Sequence, residues 1–507
     1  WWGGRPVGPR GGRSFMLRTR GRTPPAPAHG DRLRRLITLL VVLVPFAPAP
    51  AGAQPAGEAV LSALDARARD YERVARQIWE FAELGYQEVR SSALLQEQMR
   101  AAGFRVEADV AGIPTAFVAT WGSGAPVIGF VGEFDALPGL SQDAVPTRAP
   151  LVSGGAGHGC GHHLLGTAAA AAAIAVKDWL AARGGSGTIR FFGAPAEEGG
   201  GGKVYMIRAG LFRDVDVAIT WHPGDANQVT RATSLANVAA KFRFRGVSAH
   251  AAAAPEQGRS ALDGVEAMDA MVNLMREHVP SETRIHYVIT NGGRAPNVVP
   301  DFAEVYYYAR HSDMRVLDGI WERIRNAAKG AALGTGTEVE EEIINAVYNT
   351  LPNDTLADVM QRSLDRVGGF SYTGEEERFA AGIRPTLAGA ATVVGTQERI
   401  SPPSTGVASI STDVGDVSWG GPTVQLMAAV WVPGTPAHSW QAVAAGGMSI
   451  GTKGMMVAAK AMALTAVELL ATPSAIAKAK AEFATRVGDF RYASKVGARK
   501  PPLDYRK

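Results

Sequence analysis

Cysteine is almost absent from the chain: Cys160 is the single one in 507 residues. That excludes an internal disulfide framework and any multi-cysteine zinc finger. Charged residues make up 20% and hydrophobic residues 46%, so neither disorder nor a fibrous repeat fits. Long apolar runs are scarce. Leu36 to Phe46 is an apolar run of 11 residues, too short for a transmembrane helix. The alanine-rich stretch Ala168 to Val176 is closed by Lys177 and Asp178. No internal repeat is visible. The formal net charge of +4 is also local. Residues 1–53 hold nine arginines and one acidic residue, Asp31, which leaves 43 basic against 47 acidic residues in 54–507. A body with a net charge near −4 removes the argument for a nucleic-acid footprint.

The basic N-terminal segment reads as a secretory leader. Arg32, Arg34 and Arg35 form a basic region, the run Leu36 to Phe46 follows, and Ala51-Gly52-Ala53 offers a small-residue cleavage site before Gln54. An uncleaved membrane anchor is the other reading of this segment. The expectation is an exported, periplasmic protein with no membrane segment in its mature form. Trp1 to Phe15 precede the first methionine, Met16.

A chain of this length calls for two domains. Residues 54–236 alternate helical and strand patterns, as expected for an α/β sheet with helices on both faces. A helix is predicted over 56–86, and a long one from Leu164 to Arg183. Strands are predicted at Pro126 to Val131, Thr188 to Phe192 and Val215 to Trp221. Over 237–352 the order becomes β-α-β-β-α-β, that of a small ferredoxin-like α+β domain. Its helix over Ser260 to Val279 places Leu262, Val265, Met268, Val272 and Met275 on one stripe. The α/β pattern resumes over 353–480, so the smaller domain is read as an insertion in a larger mixed-sheet domain. The polar tail 481–507 is assigned no fold.

Candidate chemistry gathers in a few loops. His158-Gly-Cys160-Gly-His162-His163 lies just before a predicted helix. Thiolate and imidazole are natural ligands for a borderline-soft divalent metal, and the glycines remove side chains that would block approach. A free buried thiol beside loop histidines is the alternative. Pro195-Ala-Glu197-Glu198 followed by four glycines closes a predicted strand. There one carboxylate can bind metal while its neighbour acts as base on a metal-bound water. The glycine run lacks the Gly-Lys-Ser/Thr ending of a phosphate loop. His222 ends another apolar strand, at the side where α/β sheets bind ligands, and a structural role is the other reading. His438 is a loop histidine with either a structural or a ligand role. Asp135 could orient a ligand histidine from behind.

In order, the chain carries Gly-Glu-Phe-Asp135-Ala-Leu-Pro, Gly-His-Gly-Cys160-Gly-His162, the Glu197-Glu198 glycine motif, Trp-His222, Gly-Val-Ser-Ala-His250-Ala, Pro-Asn297-Val-Val-Pro-Asp and Gly-Thr-Pro-Ala-His438-Ser. This series resembles peptidase family M-20, in its amidohydrolase branch, over roughly residues 56–470. Ser411-Thr-Asp413-Val-Gly-Asp416-Val-Ser-Trp419 and His438-Ser-Trp-Gln look most like the aminobenzoyl-glutamate hydrolase type.

The resemblance implies a di-metal hydrolase domain and makes 237–352 a lid through which two copies form a homodimer. It implies two divalent ions per subunit, of zinc, manganese, cobalt or nickel. Cys160 matches the bridging ligand, with His162 and His222 on one ion and Glu198 and His438 on the other. Glu197 matches the general base. His250 matches a residue that reaches the partner's site and steadies the oxyanion. Asn297 and Arg310 match substrate-holding residues, Arg310 for a carboxylate. The function implied is amide hydrolysis of N-acyl amino acids, with an aryl or arylalkyl acyl group favoured, such as aminobenzoyl-glutamate-like compounds. A deacetylase of other N-acyl amino acids stays open. A non-catalytic binding protein on the same fold would be expected to lack ligands or base, which are all present. A related aminopeptidase would carry His-x-Asp where this chain has Phe134-Asp135. His163 stands where many relatives have Asp or Asn, and a structural role or one orienting His162 is expected for it.

Overall fold

The computed structural model describes residues 56–388 and 395–506. The leader expected over 1–53 lies outside the described residues. Twelve strands form two sheets: β1 (Arg105–Ala108), β2 (Phe117–Ser123), β3 (Val127–Gly132), β4 (Gly187–Gly193), β5 (Val217–Gly224), β6 (Asn227–Thr230), β7 (Ala236–Arg245), β8 (Arg284–Asn291), β9 (Phe302–His311), β10 (Glu338–Val347), β11 (Ile400–Ser404) and β12 (Thr423–Ala429). The larger sheet runs β1-β2-β4-β3-β5-β12-β6-β11. Its four central strands, β4, β3, β5 and β12, are mutually parallel, while β1, β2 and β6 pair antiparallel with their inner neighbours. All six residues of β3 are buried, which is why it reads as a continuous apolar run. The parallel core also means that β3, β4, β5 and β12 all end at the same edge of the sheet.

Two long helices pack against each other on one face, His162–Ala182 and Ser449–Ala471. Both are apolar and long enough to cross a membrane by composition, yet both are mostly buried within the protein. Helices buried on nearly all sides need no polar face, and their alanines let the backbones approach closely. The predicted helix over 56–86 is in fact two, Ala56–Ala66 and Ala68–Phe81, broken at Arg67 with φ −109° and ψ 9°. The apolar spacing Val60, Leu64, Tyr71, Val74 and Ile78 continues across the break, so the pattern hides it.

The smaller sheet runs β10-β7-β9-β8, wholly antiparallel. The helices Ala261–Met275 and Met314–Thr335 cover one face through Val265, Met268, Val272, Leu317, Trp321 and Ile324. The other face is polar. On it Glu304 bridges Lys241 at 2.9 Å and Arg243 at 2.8 Å, and Arg243 reaches Glu342 at 2.6 Å. After β10 the chain returns to the first sheet as β11 and β12. The tail, for which no fold is expected from sequence, contributes to the helix Pro473–Val487 and then packs in irregular but ordered form, with Val496 buried.

Inside the smaller domain, Tyr307 donates a hydrogen bond to Asp269. Burial raises the Asp269 carboxyl from 3.8 to about 6, with the Tyr307 bond opposing and nearby Glu266 adding. The stability Asp269 contributes is therefore present below its ordinary range and lost as pH rises through about 6. Asp269→Asn keeps an oxygen for Tyr307 and has no charge to bury. Melting temperatures measured from about pH 4.5 to about pH 7.5 should show the wild type losing ground to this variant across the interval. Parallel curves would refute the assignment.

Candidate metal centre

The ends of the four parallel strands and one tight turn supply the site. Glu133 and Asp135 follow β3, Glu197 and Glu198 follow β4, His222 lies in β5, and His438 sits on the loop after β12. Cys160 occupies the turn that opens the helix His162–Ala182. Gly161 there has φ +76°, and a Cβ on it would lie 2.8 Å from Cβ of Pro223. Glycine is required on both counts.

These residues converge on two adjoining ligand sets. Cys160, His162 and His222 form one, and Cys160, Glu198 and His438 the other; within each set the ligand atoms lie within 4.8 Å of one another. Cys160 Sγ is 3.5 Å from His222 Nε2, and His438 Nε2 is 3.2 Å from Glu198 Oε1. A third group, Glu133, His162 and Glu197, overlaps the first through His162. The rings are oriented from behind. Asp135 Oδ1 holds His162 Nδ1 at 2.9 Å, and the Pro223 carbonyl holds His222 Nδ1 at 2.8 Å, which leaves each Nε2 facing the centre. The other Asp135 oxygen accepts the Glu198 N–H at 2.9 Å, so one carboxylate sets two ligands. His438 has φ +58°, unusual for a residue with a Cβ, and its N–H donates to the Gly159 carbonyl at 2.9 Å.

The electrostatics fit cations. His162 Nε2 and Glu133 Oε2 face each other at 3.2 Å and Glu198 Oε1 faces His438 Nε2, yet none of these three buried atoms makes a hydrogen bond, an arrangement that a cation between them would satisfy. Burial pushes the Cys160 thiol up. Burial, with Glu133, Glu198 and Asp413 nearby, pushes the Glu197 carboxyl well up. The site thus holds more negative charge than its one lysine can balance, and a divalent ion both supplies the missing charge and deprotonates a coordinating thiol.

That lysine is a residue the sequence reading missed. Lys203 is fully buried, 2.8 Å from Glu133 Oε1 and bonded to Asp413, whose second oxygen takes the Lys203 N–H at 2.9 Å. Glu133, two residues before Asp135, could have been found from the motif; the Lys203–Asp413 pairing spans 210 positions and has no local signal. His163 is no member of the ligand sets. It packs against His158 with ring centroids 4.9 Å apart and bonds the Gly446 carbonyl at 3.0 Å, a structural role.

His250, Asn297 and Arg310 stand apart from this cluster. His250 is exposed, its Nδ1 accepting the N–H groups of Ala252 at 3.2 Å and Ala253 at 3.1 Å. Asn297 is exposed beside it, its carbonyl accepting the Ala251 N–H at 3.1 Å. Arg310 lies on β9 with its guanidinium 5.6 Å from the Tyr308 ring centroid and a buried Nε that has no partner. Among the described residues no hydrogen bond or ion pair joins these three to the ligand sets.

A parallel sheet edge carrying two ligand sets that share one sulfur, with a spare carboxylate beside them, is the arrangement of a two-metal hydrolytic centre, and comparison with known proteins makes it that of a metal-dependent amide hydrolase. Residues 129–410 match Peptidase family M20/M25/M40, and the chain belongs to that family. It is 43% identical over 434 residues to one of the p-aminobenzoyl-glutamate hydrolase subunits of Escherichia coli (strain K12), covering 80% of this chain and 90% of that protein. Among solved structures, it resembles a putative aminohydrolase from methicillin-resistant Staphylococcus aureus with a TM-score of 0.61 at 18% identity, covering 82% of this chain and all of that one. It also resembles a dinuclear metal binding peptidase from Bacillus subtilis with a TM-score of 0.55 at 18% identity, covering 80% of this chain and 99% of that one.

Removing Lys203 leaves Glu133 and Asp413 buried without their counter-charge. Lys203→Met should cost about 3–5 kcal/mol in equilibrium urea unfolding of the metal-free protein. A loss below about 1 kcal/mol, the range of exposed pairs, would show that the triad is not buried as described.

Proposed function

We propose that the chain hydrolyses the amide bond of N-acyl amino acids carrying an aromatic acyl group, of the aminobenzoyl-glutamate kind. The observation that carries this reading is the pair of ligand sets sharing Cys160, with Glu197 beside them. Cys160, His162 and His222 would hold one divalent ion, and Cys160, Glu198 and His438 the other. When bound, the ions polarise the amide carbonyl and make the attacking water more acidic. Glu197 takes the proton of that water and later returns it to the leaving amine. A cavity of about 220 Å³ opens beside His222, walled by Val407, Ile410, Met427, Gln228 and Thr230. Its mixed apolar and amide lining suits an aryl acyl group. The similarity to the Escherichia coli p-aminobenzoyl-glutamate hydrolase supports the same class of substrate.

Arg310 offers a planar fork matched to a carboxylate, and Asn297 a neutral partner for the same substrate. His250 is exposed and makes no contact with its own subunit's ligands, which favours action on a partner's site, as an oxyanion donor, in a homodimer formed through 237–352. Exposed Leu274, Val288 and Leu333 on that domain favour an interface there. The leader 1–53 supports export to the periplasm.

Glu197→Gln should abolish turnover of aminobenzoyl-glutamate, hippurate, indole-acetyl and N-acetyl amino acids while metal content, measured by elemental analysis, stays near that of the wild type. Activity retained in that variant would remove Glu197 as the base. Preference for the N-acetyl compounds would shift the reading to a deacetylase. Mixing His250→Ala with Glu197→Gln subunits should restore part of the activity, because one site in the mixed dimer is then complete. Verified mixed dimers without restored activity would exclude a trans role for His250.

A further inference from the structure

The loop that carries the base and one ligand has bonds of its own from the Gly199 N–H to the Glu197 carbonyl at 2.6 Å and from the Gly201 N–H to the Ala196 carbonyl at 2.8 Å, and it is held further from outside. Glu198 is followed by four glycines, and Gly199 and Gly201 have φ of +97° and +69°. Such backbone has wide conformational freedom of its own, so its geometry is set by what holds it. On one side Asp135 holds the Glu198 N–H. On the other, the holders come from the C-terminal segment. The Tyr505 hydroxyl donates to the Glu198 carbonyl at 3.1 Å, and the Arg506 guanidinium donates to the same oxygen. The Tyr505 ring stands edge-on to Tyr86 at 5.6 Å, and Tyr86 in turn donates to the Gly200 carbonyl at 2.7 Å.

The segment is itself firmly tied along its length. Tyr492 donates to Asp416 at 2.7 Å, and Lys495 pairs with Asp318 of the smaller domain at 2.6 Å. Arg208, on the short helix after the glycine loop, donates to the carbonyls of Gly497 and Arg499, each at 2.7 Å. Arg499 donates to the carbonyls of Ile343 and Ile344 on β10, and Gln87 donates to the Leu503 carbonyl at 2.8 Å.

We propose that residues 488–506 form a strap that positions the Glu197–Glu198 loop, with Tyr505 and Arg506 as positioning residues that act through the Glu198 carbonyl. This rests on the reading of Glu198 as a metal ligand and Glu197 as the base. By passing from β10 and Asp318 to Glu198, the strap also ties the smaller domain to the metal centre. The ligand carboxylate of Glu198 is clamped at both ends of its own residue, by Asp135 at the N–H and by the strap at the carbonyl.

The test uses the full chain loaded with zinc and the variants Tyr505→Phe, Arg506→Ala and Arg506→Lys. Amide hydrogen exchange over 197–201 should accelerate in the first two. One of the two zinc ions, read by competition with a chromophoric chelator, should be released about 10–100-fold more readily, the range for loss of a group that supports a metal ligand. Arg506→Lys should recover part of both. Lys495→Ala, which cuts the tie to Asp318 and leaves Tyr505 and Arg506 in place, should loosen the loop less than either. Exchange and zinc affinity equal to wild type in folded Tyr505→Phe and Arg506→Ala would overturn the strap. These readouts do not depend on turnover. If the wild type hydrolyses no substrate and the variants still loosen loop and metal, the substrate reading falls and the strap stands.

Discussion

Buried negative charge is the constraint on which this structure depends. Glu133, Asp135, Glu197, Glu198 and Asp413 crowd the ends of the parallel strands, with Lys203 as their buried counter-charge. An unpaired buried carboxylate is among the most expensive groups a protein can hold. The rest of the centre can be read as ways of meeting that cost. Lys203 pairs with both Glu133 and Asp413 and offsets one of their two charges. Asp135 is tied to His162 and to the Glu198 N–H. What remains, Glu197 and Glu198 with the Cys160 thiol, is matched by divalent ions.

The scaffold makes such crowding possible. Parallel strands present their ends at one edge, so residues far apart in sequence arrive together, although Cys160 comes at the end of the long irregular stretch between β3 and the helix from His162. Where loops are needed, the backbone takes conformations that only local support maintains. Gly161 turns the chain between two ligands, and His438 holds a left-handed conformation anchored by its N–H on Gly159. Conformations of this kind cost energy that the surrounding packing must offset. The offset comes from the core beneath, where the helix that begins at His162 is buried from His162 to Val176.

Much of this was legible in sequence, for a physical reason. Strands buried on both faces, such as β3, and helices with regular apolar spacing announce themselves locally, and metal ligands must sit in short motifs with small neighbours. Cys160 and His162 stood out in that way, while the full set with Glu198, His222 and His438 followed from the order of motifs that carries the resemblance; the structure brings the five together. What was not legible depends on partners with no local mark. The break at Arg67 leaves the apolar period intact. Lys203 reads as an ordinary lysine until Asp413 is placed beside it. The tail reads as polar and formless because its order comes from tyrosines and arginines bonding backbone carbonyls elsewhere in the chain.

The division of labour between the two sheets follows from the same charge balance. Around the ligand sets, Lys203 is engaged with Glu133 and Asp413, and Arg506 with the Glu198 carbonyl, so the excess of carboxylates makes that edge attract cations and repel a substrate's free carboxylate. A positive group for that carboxylate has to come from elsewhere. Arg310 is suited to it, since its guanidinium lies on the smaller sheet and its Nε has no partner. An N-acyl amino acid needs a cationic clamp at one end and a metal-polarised carbonyl at the other, and placing the two in one acidic pocket would pair the arginine with Glu197 or Glu198 instead. Separate sheets would avoid that self-neutralisation, which supports the proposal that the smaller domain acts as a lid and Arg310 as the clamp.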